Sequence, residues 1–279
     1  MMTKIPPTAN QGILKIFKNS FSLYFRNIFR FIEIVAWIGA PASIFFVLLF
    51  YWGLPEDILQ GLAKVSYLAA FVVLLLWNIV VIKAIQFLDE GRPFQILTIY
   101  SEAFSLFFRY LWICALMTSR IFLWSLPFVI SIVILFKLKE WKTFPDPWNM
   151  FFLLAFLLLI PVFIIIFYYS FSFFAFLLDG KNGMDALRYS KKLIKPNFWK
   201  LLGSISLLSF LMRPVYKFIL NEIDGVQSVP LLAVNLFPLI SYNCLVNLLA
   251  LTAGIFPMVF FYFLYKKFRT EQPFIEEKA

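Results

Sequence analysis

Residues 148–178 read WNMFFLLAFLLLIPVFIIIFYYSFSFFAFLL, and none of these side chains carries a charge. A helix needs about 20 mainly apolar residues to cross the hydrocarbon core of a bilayer, so this stretch can hold one tilted or extended span. Across the whole chain, apolar residues make up 62% and charged residues 14%, whereas a soluble domain carries about 25% charged residues. The sequence lacks the short alternating segments of a membrane barrel. The composition therefore predicts an all-α membrane protein.

Apolar windows long enough to cross a membrane occur six times. They cover residues 31–52, 65–88, 110–136, 148–178, 199–220 and 231–265. Polar loops at 53–64, 137–147 and 221–230 separate the two members of each pair. The sequence thus predicts a polytopic membrane protein with six transmembrane helices in three two-helix units.

A weak internal repeat accompanies these three units. Gly91 precedes the pair Tyr100-Ser101 at the same spacing at which Gly180 precedes Tyr189-Ser190. One proline recurs in the first span of each unit, namely Pro41, Pro127 and Pro214. We place the repeats at 11–88, 89–178 and 179–266 within a single membrane domain covering 1–279, with a cytoplasmic tail at 267–279. The alternative is that any helical membrane protein with short loops looks periodic in this way.

The net charge of +10 is concentrated in a few segments. Lysine and arginine cluster in the N-terminal segment, in the connections 89–109 and 179–200, and at the C-terminus. By the positive-inside rule, these segments and both termini lie in the cytoplasm. The same distribution predicts that the basic residues attract anionic phospholipids of the bilayer, and it does not favour nucleic acid as a partner.

Three basic or polar stretches precede the three units, at 11–30, 93–109 and 183–198. Polar residues recur about every three to four positions in each stretch, which is the period of an amphipathic helix. We expect each one to lie in the headgroup plane, where it binds anionic lipid, docks a cytoplasmic partner or only sets the depth of the fold. The third stretch is the most basic, and the candidate lipid-headgroup residues in and beside it are Arg188, Lys191, Lys192, Lys195 and Lys200.

Two arginines fall inside predicted spans, where ionisable side chains are costly and are functional candidates. Arg120 lies near the middle of the third span, and Arg213 precedes Pro214 in the fifth. A guanidinium group suits phosphate oxygens, so both are candidate anionic-ligand residues. The alternative is a structural role, in which the arginines bond to helix carbonyls or to a carboxylate such as Glu33 or Asp89.

The chain lacks the residues on which many enzymes depend. It has no histidine, no GxxxxGKS/T loop, no GxGxxG turn and no cluster of carboxylates. Its two cysteines, Cys114 and Cys244, fall inside predicted spans and are interpreted as small buried hydrophobes. We therefore expect no catalytic residue, no metal site and no cofactor.

The segment 178–190 reads LDGKNGMDALRYS and is followed at 197–203 by NFWKLLG. This combination resembles a pattern in uncharacterised bacterial multi-span proteins that are related to the membrane domain of glycerophosphoryl diester phosphodiesterases. The resemblance implies a six-span protein of the bacterial inner (cytoplasmic) membrane. It carries over no catalytic residues, because the soluble phosphodiesterase barrel has no counterpart in this chain. Pro196 stands where the pattern usually has glycine.

Two functional hypotheses follow from these features. The first is a non-enzymatic integral inner-membrane protein that binds or moves an amphipathic or anionic, lipid-like molecule. The second is a membrane scaffold or assembly subunit that docks a cytoplasmic partner through its basic face. An enzyme acting on lipids is the least favoured hypothesis, because the chain has no histidine.

Overall fold

The computed structural model describes residues 12–37, 56–140, 159–227 and 236–272, which are helical almost throughout. Their α-helices, in chain order, are α1 (Ile13–Arg26), α2 (28–37), α3 (Glu56–Glu90), α4 (Ile96–Glu140), α5 (159–169), α6 (Ser172–Asp179), α7 (Gly183–Ile194), α8 (Phe198–Gln227) and α9 (Leu236–Glu271). A 3-10 turn at Lys195–Asn197 joins α7 to α8. No β-strand occurs within these described ranges.

Within the described ranges, three segments are long and apolar enough to cross a membrane, in agreement with the predicted membrane class. They are Phe71–Glu90 in α3, Ile96–Ser131 in α4, and Leu159–Asp179, which contains α5 and α6. Helix α8 covers the predicted window 199–220, and α9 covers residues 236–265 of the window 231–265. The windows 31–52, 148–178 and 231–265 each include residues outside the described ranges. Six spans in three units therefore stay a prediction, as do the repeat boundaries and the tail.

Helix α4 is the longest of the described helices, with 45 residues. At about 1.5 Å per residue it measures roughly 68 Å, more than twice the thickness of the hydrocarbon core of a bilayer. It begins at Ile96 and continues through the predicted span, so the stretch 93–109 contributes the first turns of α4 and does not form a helix of its own. Only 6% of the most apolar window within Ile96–Ser131 is buried inside the protein. An apolar surface of this extent is typical of a membrane or protein interface.

The chain divides into two compact units. Of the described residues, the first unit contains those up to Phe107 and those from Trp199 to Glu271. The second unit contains the described residues from Phe108 to Phe198. The candidate lipid-binding helix α7 therefore belongs to the second unit.

Helix α9 is the centre of packing in the first unit, because both α1 and α3 contact it. The ring of Phe17 in α1 lies 5.5 Å from the ring of Phe256 in α9. The Tyr24 hydroxyl donates to the Thr252 carbonyl oxygen at 3.0 Å. In the second unit, the main contact between helices is that of α6 with α7.

Gly91 and Gly180 follow the last residues of α3 and α6 and share one backbone conformation. Both adopt a left-handed conformation, with φ of 68° and 66°. Glycine reaches this conformation without the steric penalty of a Cβ atom, and it commonly ends helices. After Gly91, the Arg92 N–H donates to the Phe87 carbonyl oxygen at 2.9 Å. After Gly180, the Lys181 N–H donates to the Ala175 carbonyl oxygen at 3.2 Å, one residue further back along its helix. The two ends therefore share the left-handed glycine but not the same hydrogen bond.

Candidate functional site

Helix α7 carries three of the candidate lipid-headgroup residues, and its sequence favours a helix. A fourth, Lys195, begins the 3-10 turn directly after it. Asn182 precedes the first helical residue in an extended conformation, and Asp185 lies in the first turn, where a carboxylate stabilises the helix dipole. Lys191 and Lys192 lie in the last turn, where positive charge has the same effect. A helix of 12 residues is only marginally stable alone in water, so packing of one face must stabilise it.

The two faces of α7 differ in burial and in charge. One face is buried and consists of Ala186, Leu187, Tyr189, Ser190, Leu193 and Ile194. The other face is exposed, and Lys195 of the adjoining 3-10 turn continues it. Its cations, Lys195 included, are Arg188, Lys191, Lys192 and Lys195. At about 100° per residue, these cations fall within an arc of roughly 100° on the side opposite the buried residues. Because Asp185 lies on the exposed side as well, four cations and one carboxylate leave a net charge of +3.

Two of these cations have described contacts, both of them weak. The Arg188 guanidinium lies 3.7 Å from the Asp185 carboxylate, but the two side chains are 71% and 73% exposed. Water therefore screens this ion pair. The Lys191 ammonium lies 5.9 Å from the centre of the Tyr168 ring, a distance at which cation–π attraction acts. Neither contact neutralises the exposed face, so its cations are accessible to phosphate groups.

Ser190 joins the buried face of α7 to a break between α5 and α6. The break lies at Ser170 and Phe171, where the chain is not helical. The Ser190 hydroxyl accepts a hydrogen bond from the Phe171 N–H at 3.1 Å and donates one to the Tyr168 carbonyl oxygen at 2.7 Å. Ser190 is fully buried. These two bonds, the Ser190 bridge, set the rotation of α7 so that its basic face points outward.

The Ser190 bridge was not predicted from the sequence, where Ser190 served only as a marker of the repeat. One signal was present: on a helical projection Ser190 falls among apolar side chains and opposite the lysines. A hydroxyl in such a position needs a hydrogen-bond partner. The partner is a break inside a long apolar stretch, and no pattern in the sequence reveals it.

Trp112 of α4 lies beside the beginning of α7. A Cβ atom built on Gly183 would lie 3.7 Å from Nε1 of Trp112, and the Trp112 side chain is 61% exposed. Tryptophan is enriched at membrane–water interfaces, because its ring is apolar and its N–H is polar. The first turn of α7 is therefore next to a side chain that is typical of the interface.

Lys200, the fifth candidate headgroup residue, differs from the other four. It belongs to the first unit, and its ammonium lies 3.2 Å from the Glu271 carboxylate. Glu271 also pairs with Lys267 at 3.6 Å. A carboxylate within the protein thus already offsets the charge of Lys200.

Arg120 and Arg213, the candidate anionic-ligand residues, lie in different units and are both exposed. Exposed Phe122 and Trp124 follow Arg120 in α4, and exposed Phe210 precedes Arg213 in α8. Both guanidinium groups therefore lie on outward apolar surfaces and are not enclosed by the described residues. Their binding of an anionic ligand stays a prediction.

A polar cluster connects α3 to α9 in the first unit, and it was not predicted from the sequence. Asp89 Oδ2 accepts a hydrogen bond from the Tyr262 hydroxyl at 3.0 Å and another from Lys266 Nζ at 2.5 Å. The Asp89 side chain is 13% exposed and that of Lys266 is 44% exposed. Tyr262 and Lys266 are one helical turn apart, which is the signal that could have linked them to a shared carboxylate. Asp89 is thus paired with Lys266 on α9.

The described residues offer charge for binding an anion. Within the described ranges, no three histidine, cysteine, aspartate or glutamate side chains lie close enough to hold a metal ion.

Comparisons with known proteins give no match, whether to family models, to curated proteins or to solved structures. The resemblance of residues 178–203 to relatives of the phosphodiesterase membrane domain stays a prediction.

Proposed function

We propose that the chain is a non-enzymatic integral protein of the bacterial inner membrane that binds an anionic, lipid-like molecule. Arg188, Lys191, Lys192 and Lys195 contact its headgroup. The observation that carries this proposal is the division of α7 into a buried apolar face and an exposed face, which together with Lys195 of the adjoining turn has four cations and one carboxylate.

A helix with two such faces suits the boundary between membrane and water. Its apolar face packs against protein, so the long lysine and arginine side chains are free to extend toward phosphate groups. Each lysine or arginine near an anionic bilayer surface contributes about 1 kcal/mol of binding free energy. Four such residues, opposed by Asp185, favour an anionic over a zwitterionic headgroup, and added salt weakens this preference.

The depth and the side of α7 follow from its neighbours and from the charge distribution. Trp112, beside the first turn, is the kind of residue that lies at the headgroup level. The positive-inside rule assigns the basic segments, including 179–200, to the cytoplasm. We therefore assign α7 to the cytoplasmic leaflet of a six-span protein with both termini in the cytoplasm.

Arg120 and Arg213 have a secondary part in this proposal. Each is exposed on the outward surface of an apolar helix. A long arginine side chain in such a position extends toward the nearest headgroup layer and pairs with a lipid phosphate. These two residues would then bind lipids around the protein, separately from the face of α7.

Extraction into native nanodiscs, followed by mass spectrometry of the lipids that co-purify, tests the proposal. A variant with Arg188, Lys191, Lys192 and Lys195 all replaced by glutamine should retain less anionic lipid per protein molecule than the wild type. The matched control keeps every charge, with Arg188→Lys and the three lysines replaced by arginine, and it should retain the wild-type lipid composition. All four side chains are exposed, so neither variant should lose its fold.

Equal anionic-lipid content in the glutamine variant and the charge-preserving variant would contradict the proposal. A stoichiometric acidic protein that co-purifies with the wild type, but not with the glutamine variant, would instead support the second function, that of a scaffold docking a cytoplasmic partner. One observation favours that alternative: Asp185 and Arg188 present opposite charges side by side at the surface, as protein interfaces often do.

A further inference from the structure

Helix α1 has one face buried against α9. Ile16, Ser20 and Tyr24 follow each other at intervals of one helical turn, and all three are buried. The hydrogen bond from the Tyr24 hydroxyl to the Thr252 carbonyl oxygen, 3.0 Å long, fixes the rotation of α1 about its own axis. The other faces of α1 are therefore presented in a defined direction.

A second sector of α1 is apolar and exposed. Leu14, Phe21 and Phe25 are 80%, 49% and 50% exposed. On a helical projection, each residue advances about 100° around the helix axis, and the angle of Ile16 is set at zero. These three side chains then lie at angles between about 140° and 180°, whereas the buried face is centred near 40°. The rings of Phe21 and Phe25 lie 4.2 Å apart, so they form one continuous surface. This row is called the apolar sector.

A third sector of α1 is basic. Lys15, Ser22 and Arg26 are exposed and fall between about 240° and 280° on the same projection. Lys18 lies at about 200°, at the border between the basic and the apolar sectors. The sequence of α1 contains no acidic residue. Its exposed charges are therefore of one sign and lie directly beside the apolar sector.

We propose that α1 binds the surface of an anionic lipid leaflet, with Leu14, Phe21 and Phe25 inserted among the acyl chains and Lys15, Lys18 and Arg26 at the phosphate layer. Exposure of a row of aromatic and aliphatic side chains to water is unfavourable. An apolar row bordered on one side by cations matches a surface that is apolar below and negative above. This surface lies on another helix and in the other unit from the face of α7, so it does not rest on the function proposed for α7.

Collision rates of an attached nitroxide test this arrangement. In a background with Cys114→Ala and Cys244→Ala, a nitroxide at Phe21→Cys or Phe25→Cys should collide more with oxygen, which concentrates in lipid, than with a water-soluble nickel complex. The vesicles consist of phosphatidylethanolamine and phosphatidylglycerol. Matched controls on the basic sector, Lys15→Cys and Ser22→Cys, should show the reverse order, and Ser20→Cys on the buried face should collide little with either reagent.

Two results at Phe21 and Phe25 would overturn the proposal. A preference for the nickel complex would mean that the apolar sector faces water. Low collision rates with both reagents would mean that protein covers it, such as a second copy of the chain or another partner.

The role of the basic sector needs its own test. Replacing Lys15, Lys18 and Arg26 by glutamine in the Phe25→Cys protein should lower the ratio of oxygen to nickel collisions by about twofold or more in vesicles that contain phosphatidylglycerol. An unchanged ratio would show that the cations do not bind the anionic surface.

Discussion

The Ser190 hydroxyl in α7 donates a hydrogen bond of 2.7 Å to the backbone carbonyl oxygen of Tyr168 in α5. The same hydroxyl accepts a bond of 3.1 Å from the Phe171 N–H, so one side chain satisfies a donor and an acceptor at the break between α5 and α6. The basic face of α7 lies on the opposite side of the helix. Its outward direction thus depends on a buried contact that carries no charge.

Replacing Ser190 by alanine should lower the free energy of unfolding by about 1–3 kcal/mol, because it leaves a buried donor and a partly buried acceptor without this partner. Denaturation in detergent micelles measures the change. The matched control is Ser105→Ala in α4, where an exposed hydroxyl only donates to the Glu102 carbonyl oxygen of its own helix. That variant should stay within about 0.5 kcal/mol of the wild type. Equal effects in the two variants would show that the Ser190 bridge does not stabilise the fold.

The ion pair between Asp89 and Lys266 should stabilise the packing of α3 against α9. A double-mutant cycle with Asp89→Asn and Lys266→Met should give a coupling free energy of about 1 kcal/mol, since Lys266 is partly exposed and water screens the pair. The same cycle at Asp185 and Arg188, which are both highly exposed, should give a coupling near zero. Similar values at the two sites would mean that burial does not strengthen the Asp89 pair.

The membrane class and the two faces of α7 could be predicted from the sequence, because local composition and helical period determine both. The partners of Ser190 and Asp89 could not be predicted. The period of a helix shows which side is buried but does not show what buries it, and Lys266 is 177 residues away from Asp89 along the chain. Arg120 was expected inside a span, and it lies within the apolar stretch Ile96–Ser131, but it is exposed there. In a membrane protein apolar side chains also face lipid, so apolar neighbours do not imply an interior position.

The six-span arrangement predicts the side of every connection. The predicted loops 53–64, 137–147 and 221–230 overlap the ends of α3, α4 and α8, so the fusions are placed at 53–55, 141–147 and 228–230. Alkaline phosphatase fused there should be active, because the six-span arrangement assigns these segments to the side opposite the cytoplasm. Fusions in the connections 91–95 and 180–182 should be inactive, and a fluorescent protein at the C-terminus should mature in the cytoplasm. Active alkaline phosphatase in the connections on both sides of a predicted pair of spans would contradict the topology, because both connections should lie in the cytoplasm.

Tyr24 makes the contact between α1 and α9 sensitive to alkaline pH. Burial raises the pKa of Tyr24 above its ordinary value of 10.0. The folded state therefore keeps the phenol protonated where the unfolded state loses the proton. The stability that Tyr24 contributes is complete below pH 10.0 and declines as the pH rises toward and through the raised pKa.

Unfolding of the wild type and of Tyr24→Phe should be compared below and above pH 10.0. The wild type should lose more stability than the variant over this interval, because phenylalanine does not titrate. At neutral pH the variant should be less stable by about 1 kcal/mol, since it lacks the hydrogen bond to Thr252. Parallel pH profiles for the two proteins would exclude a contribution from Tyr24.

Electron paramagnetic resonance with spin-labelled lipids tests the central claim most directly. It measures the preference of the protein for phosphatidylglycerol over phosphatidylcholine. The wild type should immobilise phosphatidylglycerol more strongly, and this preference should weaken with added salt. The variant with Arg188, Lys191, Lys192 and Lys195 replaced by glutamine should lose most of the preference, while the charge-preserving variant keeps it. If all three proteins immobilise the two lipids in the same ratio, the face of α7 does not bind anionic lipid and the proposed function is wrong.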